Sequence, residues 1–314
     1  MLLTASVWSP RPAPLTGCAM ASIGWVHDDI TGYGHRMDQL TGKTAVVTGA
    51  ASGMGRSFAL RFARAGMNVA VADVDEGGLA GVAAEIEATG VKTITVRTDV
   101  RRESDVEALR DQAISAFGRI NVVCNNAGVA GKFTGGMVET ADWHWVIDVN
   151  FWGVVHGHKV FLPHLLEHGD GHIVNTASMA GHFPAHSAYG ASKWAVVGIT
   201  EGLFHMLADL RSTVGVSCLC PGWVNTNIAD SVLRKPEDVS AGPQLEVSPA
   251  VQARVDQVRG LIRDGLSPDL VADLVHDAVL AQQFWIFTHP DMVSALPMRY
   301  DSILHGTNPT RIGI

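Results

Sequence analysis

Tyr189 and Lys193 stand four residues apart in the run Tyr189-Gly190-Ala191-Ser192-Lys193, a spacing that places both on one face of a helix. A free phenol ionises near ~10 and is a poor base at neutral pH. An ammonium group within about 4–6 Å favours the phenolate, as would the positive ring of an oxidised nicotinamide. Tuned in this way, a tyrosine can accept the proton of an alcohol. Ser178 lies eleven residues earlier, just after an apolar run. Ligands of open parallel sheets bind at the carboxyl ends of strands, so its hydroxyl is placed to hydrogen-bond a substrate oxygen. A serine at such a point also serves as a turn or helix cap.

A second cluster, Thr48-Gly49-Ala50-Ala51-Ser52-Gly53-Met54-Gly55, falls between an apolar run and a helical pattern. The pyrophosphate of a dinucleotide needs backbone close by, at the positive end of a helix, and glycine permits both the approach and the tight turn. The spacing G-x-x-x-G-x-G departs from G-x-G-x-x-G, and a plain strand–helix turn uses glycine too. Asp73 adds weight: it ends the next apolar run, 18 residues after Gly55, near the ~20 expected of a ribose-binding acid. Its carboxylate can accept hydrogen bonds from both adenosine ribose hydroxyls and would repel a 2′-phosphate. The expected cofactor is therefore NAD.

These residues need a scaffold, and the chain supplies an alternating one. Apolar runs at 44–48, 68–73, 93–96, 120–124, 171–175, 214–219 and 284–288 read as strands. Helical patterns lie between them at 54–65, 76–88, to about 117, at 141–167 and at 187–210, the third opening on a capping box, Ser104-x-x-Glu107. Near-continuous apolar strands separated by helices predict a parallel sheet covered on both faces. Residues 227–265, with Pro236, Gly242, Pro243 and Pro249, interrupt the rhythm and read as an excursion from one domain. Residues 1–36 hold Pro10, Pro12 and Pro14 and no amphipathic period. They are expected to be a disordered extension, or to precede a natural start at Met37. They lack the positive region and apolar stretch of a secretory signal.

Composition narrows the function classes. The 314 residues carry 23 Lys and Arg against 31 Asp and Glu, a formal charge of −8. That leaves no basic footprint for phosphate backbones and argues against nucleic acid as a partner. With 47% hydrophobic and 17% charged residues the composition is globular. No run of 18 apolar residues occurs, so no membrane span is expected. The four cysteines, Cys218 and Cys220 the closest pair, read as small buried hydrophobes of a reduced, cytoplasmic compartment. His156, His158 and His164 share a helix, but no carboxylate is spaced to complete a metal site, so none is expected.

Thr48-Gly-x-x-x-Gly53-x-Gly55, Asp99-Val100, Asn125-Asn126-Ala127-Gly128, Asn150, Ser178, Tyr189-x-x-x-Lys193 and Pro221-Gly222-x-Val224-x-Thr226 occur in that order. Together they resemble the short-chain dehydrogenase/reductase family over about residues 40–290. The resemblance implies an α/β fold: a single-domain, Rossmann-like, doubly wound unit with a seven-stranded parallel sheet, here 37–290, followed by a C-terminal tail, 291–314. It implies that Gly49, Gly53 and Gly55 surround the pyrophosphate, with Ser52 and Met54 between them also against the cofactor. Asp73 then holds the adenosine ribose, and Asp99 and Val100 flank the adenine. Asn126, Ala127 and Gly128 support the central sheet and the cofactor. Tyr189 is implied as general acid/base; Lys193 as the residue that binds the nicotinamide ribose and lowers the tyrosine pKa; Ser178 as the group that orients the carbonyl or alcohol. Asn150 would hold the water of a proton relay by bending its helix. Pro221, Gly222, Val224 and Thr226 would close over the nicotinamide carboxamide. The Ser178–Tyr189 loop is about two residues shorter than the family pattern.

The family binds substrate under the segment after Pro-Gly, here about 223–265, a candidate lid containing Leu233, Leu245, Val251 and Val255. Met179, His182, Phe183, His186 and Trp223 are pocket candidates by position and suggest an apolar, ring-containing alcohol or ketone. Trp143, Trp145 and Trp152 read as packing or subunit interface. The resemblance also implies a homodimer or homotetramer. The expected function is an NAD-dependent oxidoreductase interconverting a secondary alcohol and a ketone. The alternative is a non-catalytic NAD-binding sensor or scaffold of the same fold.

Overall fold

The computed structural model describes residues 39–132, 140–236, 238–239, 248–310 and 312. The expectations for residues 1–36 and for Leu245 fall outside them. The elements run β1 (Thr44–Thr48), α1 (Gly53–Arg64), β2 (Asn68–Asp73), α2 (Glu76–Glu87), β3 (Thr93–Arg97), α3 (Glu103–Phe117) and β4 (Val122–Asn125). Then follow α4 (Thr140–Ile147), a π-helical turn (Asp148–Trp152), α5 (Gly153–His168), β5 (His172–Thr176), α6 (Ala188–Asp209) and β6 (Gly215–Cys220). The chain ends through α7 (Pro249–Arg263), α8 (Pro268–Ala281), β7 (Trp285–Phe287), α9 (Pro290–Val293) and α10 (Leu296–Leu304). Short 3₁₀ turns occupy Met179–Gly181 and Asn227–Arg234.

The strands form one seven-stranded sheet in the order β3-β2-β1-β4-β5-β6-β7, every pair parallel. Successive side chains of a strand point to opposite faces, and both faces are dry. Val47, Val69 and Val71 pack with Phe58 and Phe62 of α1 and Val271 and Val275 of α8. Val46, Ala70 and Ile173 pack on the other side with Leu109 of α3, Phe161 of α5 and Leu203 of α6. Each such large side chain stabilises the fold by roughly 1.5–3 kcal/mol of transfer free energy. The chain reverses its direction of winding between β1 and β4, which opens a crevice at the carboxyl ends of the strands. The register Thr48↔Ala72, Val47↔Cys124 and Thr176↔Leu219 aligns those ends along one rim.

Two local expectations change. Ser104 does not cap α3: the chain has already turned by Arg102, whose N–H donates to the Asp99 carbonyl at 2.9 Å. The Asp105 carboxylate instead accepts the Asp99 N–H at 3.1 Å. The single long helix read over 141–167 is interrupted by the π turn, which carries Asn150. The lid segment contains a full helix, α7, capped by Ser248 with Pro249 in its first turn. Residues past 290 carry α9 and α10, and Met292, Leu296 and Ile312 pack with Phe183, Val196 and Val197.

Candidate active site

At the rim the β1–α1 turn folds tightly. Gly49 has φ +66°, and a Cβ there would meet the Ala127 backbone at 2.7 Å; one on Gly55 would collide with the Gly49 carbonyl. Only glycine allows this crossing. The turn is stitched by its neighbours. Thr48 Oγ1 donates to the Cys124 carbonyl at 3.2 Å and accepts the N–H groups of Asn126 and Ala127 at 3.0 and 3.2 Å. Asn126 Nδ2 donates to the Thr48 carbonyl at 3.0 Å. The N-terminus of α1 is left open: Ser52 occupies the capping position without making a side-chain cap, and the first turn carries no acid. The helices α2, α6, α7 and α8 are each capped by a side chain. An uncapped helix start presents free N–H groups and a partial positive charge, which suits a phosphate.

Asp73 ends β2 beside this turn. Its two carboxylate oxygens accept the N–H groups of Ala51 and Asp75, each at 3.1 Å, which fixes the carboxylate at the rim. Asp99 is buried. Burial opposes its charge, but hydrogen bonds from Arg101, one at 2.6 Å, outweigh it and hold the carboxyl below its usual range.

The second cluster sits across the crevice. Ser187 caps α6 by accepting the Gly190 N–H at 3.0 Å, which sets Tyr189 and Lys193 on the first turns. The Lys193 ammonium lies 5.6 Å from the centre of the Tyr189 ring and donates to the Thr176 carbonyl at 2.7 Å. Lys193 is 3% exposed, and burial pulls its pKa down to about 8. Tyr189 is half-buried and opens onto the cavity; the protein packed around its phenol pushes the pKa up, while a hydrogen bond with Ser178 pulls it back. The resemblance implies that Lys193 lowers the phenol's pKa; among the protein's own groups desolvation prevails. Ser178 also caps the turn after it, accepting the Ala180 N–H at 3.1 Å.

One cavity of about 520 Å³ joins the two clusters. Gly49, Ser52, Gly53, Met54, Gly55, Asp73, Asp99, Val100, Asn126, Ala127, Gly128, Ser178, Tyr189, Lys193, Pro221, Gly222, Val224 and Thr226 all line it. Asn150 does not. Its side chain is consumed in a buried clamp: Oδ1 accepts the Val129 N–H at 2.8 Å, and Nδ2 donates to the Val129 carbonyl at 2.9 Å and to Ser192 Oγ at 3.0 Å.

Of the pocket candidates, Met179, Phe183 and Trp223 line the cavity. His182 instead packs on Trp285 and Phe287 with Nε2 against Cys220 Sγ at 3.4 Å, and His186 packs edge-on to Trp143. Trp145 lines the cavity; Trp152 is 46% exposed. Among the described residues no three His, Cys, Asp or Glu converge as metal ligands, and no helix is long and apolar enough to cross a membrane. Arg254, Val258 and Ile262 of α7, together with Met292 and Ile312, also line the cavity. No local motif marks the last two, but Ser248-Pro249 followed by apolar residues at helical spacing is a legible helix start.

The short chain dehydrogenase family model matches residues 43–237. The crystal structure of a short chain dehydrogenase/reductase from Burkholderia phymatum in complex with NAD superposes with a TM-score of 0.83 at 41% identity, covering 88% of this chain and 99% of that one. A metagenomic short-chain oxidoreductase in complex with NADP gives 0.61 at 27% identity, over 79% and 96% of the two chains. In sequence, 1-deoxy-11-beta-hydroxypentalenate dehydrogenase of Streptomyces avermitilis is 36% identical over 268 residues, 83% of this chain and 89% of its own.

Proposed function

The chain belongs to the short-chain dehydrogenase family, and from that premise we propose that it interconverts a secondary alcohol and a ketone with NAD as its cofactor. The observation that carries the reading is the meeting of Ser178, Tyr189 and Lys193 with the open α1 N-terminus and Asp73 around one cavity. The residues fit a dinucleotide. Free N–H groups at Ser52–Gly55 suit its pyrophosphate, Asp73 suits ribose hydroxyls, and a pocket floored by Asp99 and Val100 suits adenine. Asn126–Gly128, Lys193 and the segment Pro221–Thr226 would hold the nicotinamide half. NAD supplies the hydride acceptor for oxidation and, reduced, the donor for the reverse reaction.

The chain's own groups handle the proton. Ser178 holds the substrate oxygen and Tyr189 takes its proton as the carbonyl forms, or returns it on reduction. Burial leaves the phenol a weak base even with Lys193 beside it, so the positive charge of the oxidised cofactor, added to that of Lys193, would be what makes it competent. Asn150, through its grip on Val129 and its place in the π turn, positions the relay that connects this proton to solvent. Trp145, Met179, Phe183, Trp223 and Met292 give the rest of the cavity an apolar, aromatic wall, which favours a ring-containing substrate. The relative named for a hydroxypentalenate substrate supports an alcohol of this kind. Residues 37–290 would form the catalytic domain together with Met292 and Ile312 of the segment read as a tail, which line the same cavity, and 223–265 would be its lid. The buried free thiols of Cys124, Cys218 and Cys220 suit a reducing cytoplasm, where the protein would work as a homodimer or homotetramer.

Tyr189→Phe tests the reading. It should keep the thermal shift produced by NAD and lose roughly 10²–10⁴-fold in NADH formation from secondary alcohols. Equal turnover in the variant refutes the role of Tyr189. NAD binding without turnover of any alcohol by the native chain favours a sensor or scaffold.

A further inference from the structure

Arg254 stands at the outer end of a stripe that α7 turns toward the cavity. Arg254, Val258 and Ile262 recur every four residues, and all three line it; residues so spaced share one helical face. Exposure falls steadily along the stripe. Arg254 is exposed, Val258 half-buried and Ile262 7% exposed. The buried end is tied to the floor of the site, because the Leu266 N–H donates to the Trp223 carbonyl and the Asn225 N–H to the Leu266 carbonyl, both at 2.9 Å. Eight residues of helix put the Arg254 backbone roughly 12 Å farther out along the axis than Ile262. The walls nearby are apolar: Met179, Phe183, Trp223 and Met292.

Among the described residues three cations line the cavity: Arg101, Lys193 and Arg254. Arg101 is held by Asp99 at 2.6 Å and Asp238 at 3.2 Å, and Lys193 by the Thr176 carbonyl. Arg254 makes no hydrogen bond or ion pair among the described residues. Among the described residues, Asp256 accepts from Gln252 at 2.9 Å and Asp230 pairs with Arg259 at 3.3 Å, and neither pairs with Arg254. The acids that do line the cavity, Asp73 and Asp99, belong to its dinucleotide half.

We propose, resting on the oxidoreductase reading above, that the substrate is an apolar ring-containing alcohol or ketone bearing a carboxylate remote from the reacting carbon, and that Arg254 binds this carboxylate. The planar guanidinium can take both carboxylate oxygens at once, so it fixes the orientation as well as the charge of the substrate. The apolar body lies along Val258 and Ile262 toward Ser178 and Tyr189. The overall charge of −8 gives an anionic substrate no long-range attraction, so selection for it has to be local.

The test compares matched acids and methyl esters: para-carboxyphenyl methyl carbinol and lithocholate, each with its ester, as substrates for NAD reduction. The acids should exceed the esters in kcat/KM by about tenfold or more, chiefly through KM, as expected for a charge-assisted hydrogen-bonded pair. That ratio should collapse toward one in Arg254→Gln and be largely retained in Arg254→Lys. Esters turned over as well as acids, a ratio that survives in Arg254→Gln, or turnover of neutral secondary alcohols with rejection of both acids would each overturn the proposal while leaving the oxidoreductase reading standing. Failure to bind NAD or to oxidise any alcohol would instead remove the reading on which it rests.

Discussion

Asp73→Asn should shift the balance between NAD and NADP without dismantling the site. The carboxylate sits half-buried at the rim of the cavity, held by the N–H groups of Ala51 and Asp75 at 3.1 Å each. A 2′-phosphate on the neighbouring ribose would bring about two negative charges to roughly 5 Å from it. In a water-like dielectric that repulsion is about 1.7 kcal/mol, which is roughly 15- to 20-fold in relative affinity. The amide removes the charge but keeps one acceptor oxygen, so one of the two backbone hydrogen bonds survives. The expected loss of stability is about 1 kcal/mol, or roughly 2–4 °C in Tm. The assay is the ratio of kcat/KM for NAD and NADP with one alcohol, native chain against variant. Asp75→Asn is the control, since Asp75 caps α2 through the Gly78 N–H at 3.0 Å and asparagine caps nearly as well. The ratio should fall about 15- to 20-fold in Asp73→Asn and stay put in Asp75→Asn. A native preference for NADP, or an equal effect of the two substitutions, would refute the reasoning.

Two further outcomes concern stability. His172 is buried and His158 half-buried, and desolvation lowers their pKa values to about 3 and about 4, whereas in the unfolded chain both titrate near ~6.5. The unfolded state therefore binds protons that the native state refuses as pH falls from about 6.5 toward 4, and stability drops by up to ~1.4 kcal/mol per pH unit for each group. Urea unfolding across that window should give a slope shallower by about that amount in His158→Gln, and an unchanged slope would contradict the assignment. Gly157 lies where α5 crosses β4, and a methyl there would run into the side chain of Asn125. Gly157→Ala should lower the unfolding free energy by about 1–3 kcal/mol, and a neutral result would mean that α5 can shift off the sheet.

The sheet and the glycine turn at its rim are legible because each is encoded locally. Runs such as Asn68–Asp73 become strands with the expected bounds, since a stretch buried on both faces must be apolar at every position. The glycines at 49, 53 and 55 announce a turn that nothing with a Cβ could make. What escaped depends on contacts between distant segments. Ser104 looks like a cap, but Asp99 and Arg102 had already turned the chain. The π turn at 148–152 leaves the helical pattern of apolar residues intact, so periodicity reads one long helix there, and only the resemblance carried by Asn150 implies a bend. His182 lies next in sequence to the pocket-lining Phe183, yet the aromatic cluster of Trp285 and Phe287 claims it. Arg254 lies within the segment expected to cover the substrate, whereas Met292 and Ile312 reach the cavity from the region read as a tail, so sequence distance hides them. The surroundings of the Tyr189 phenol are the subtlest case. Lys193 stands where the spacing puts it, but the burial that opposes ionisation belongs to the assembled crevice and to no motif.

Deuterium transfer follows both the hydride and the dependence of turnover on Tyr189. The native chain and Tyr189→Phe would each be given an aromatic ketone and NADH deuterated at the transferable position, and the product alcohol analysed by mass spectrometry. The native chain should place one deuterium on the carbinol carbon and the variant should give almost no product, although both bind the cofactor. Product lacking the label, or equal product from both chains, would contradict the proposed function.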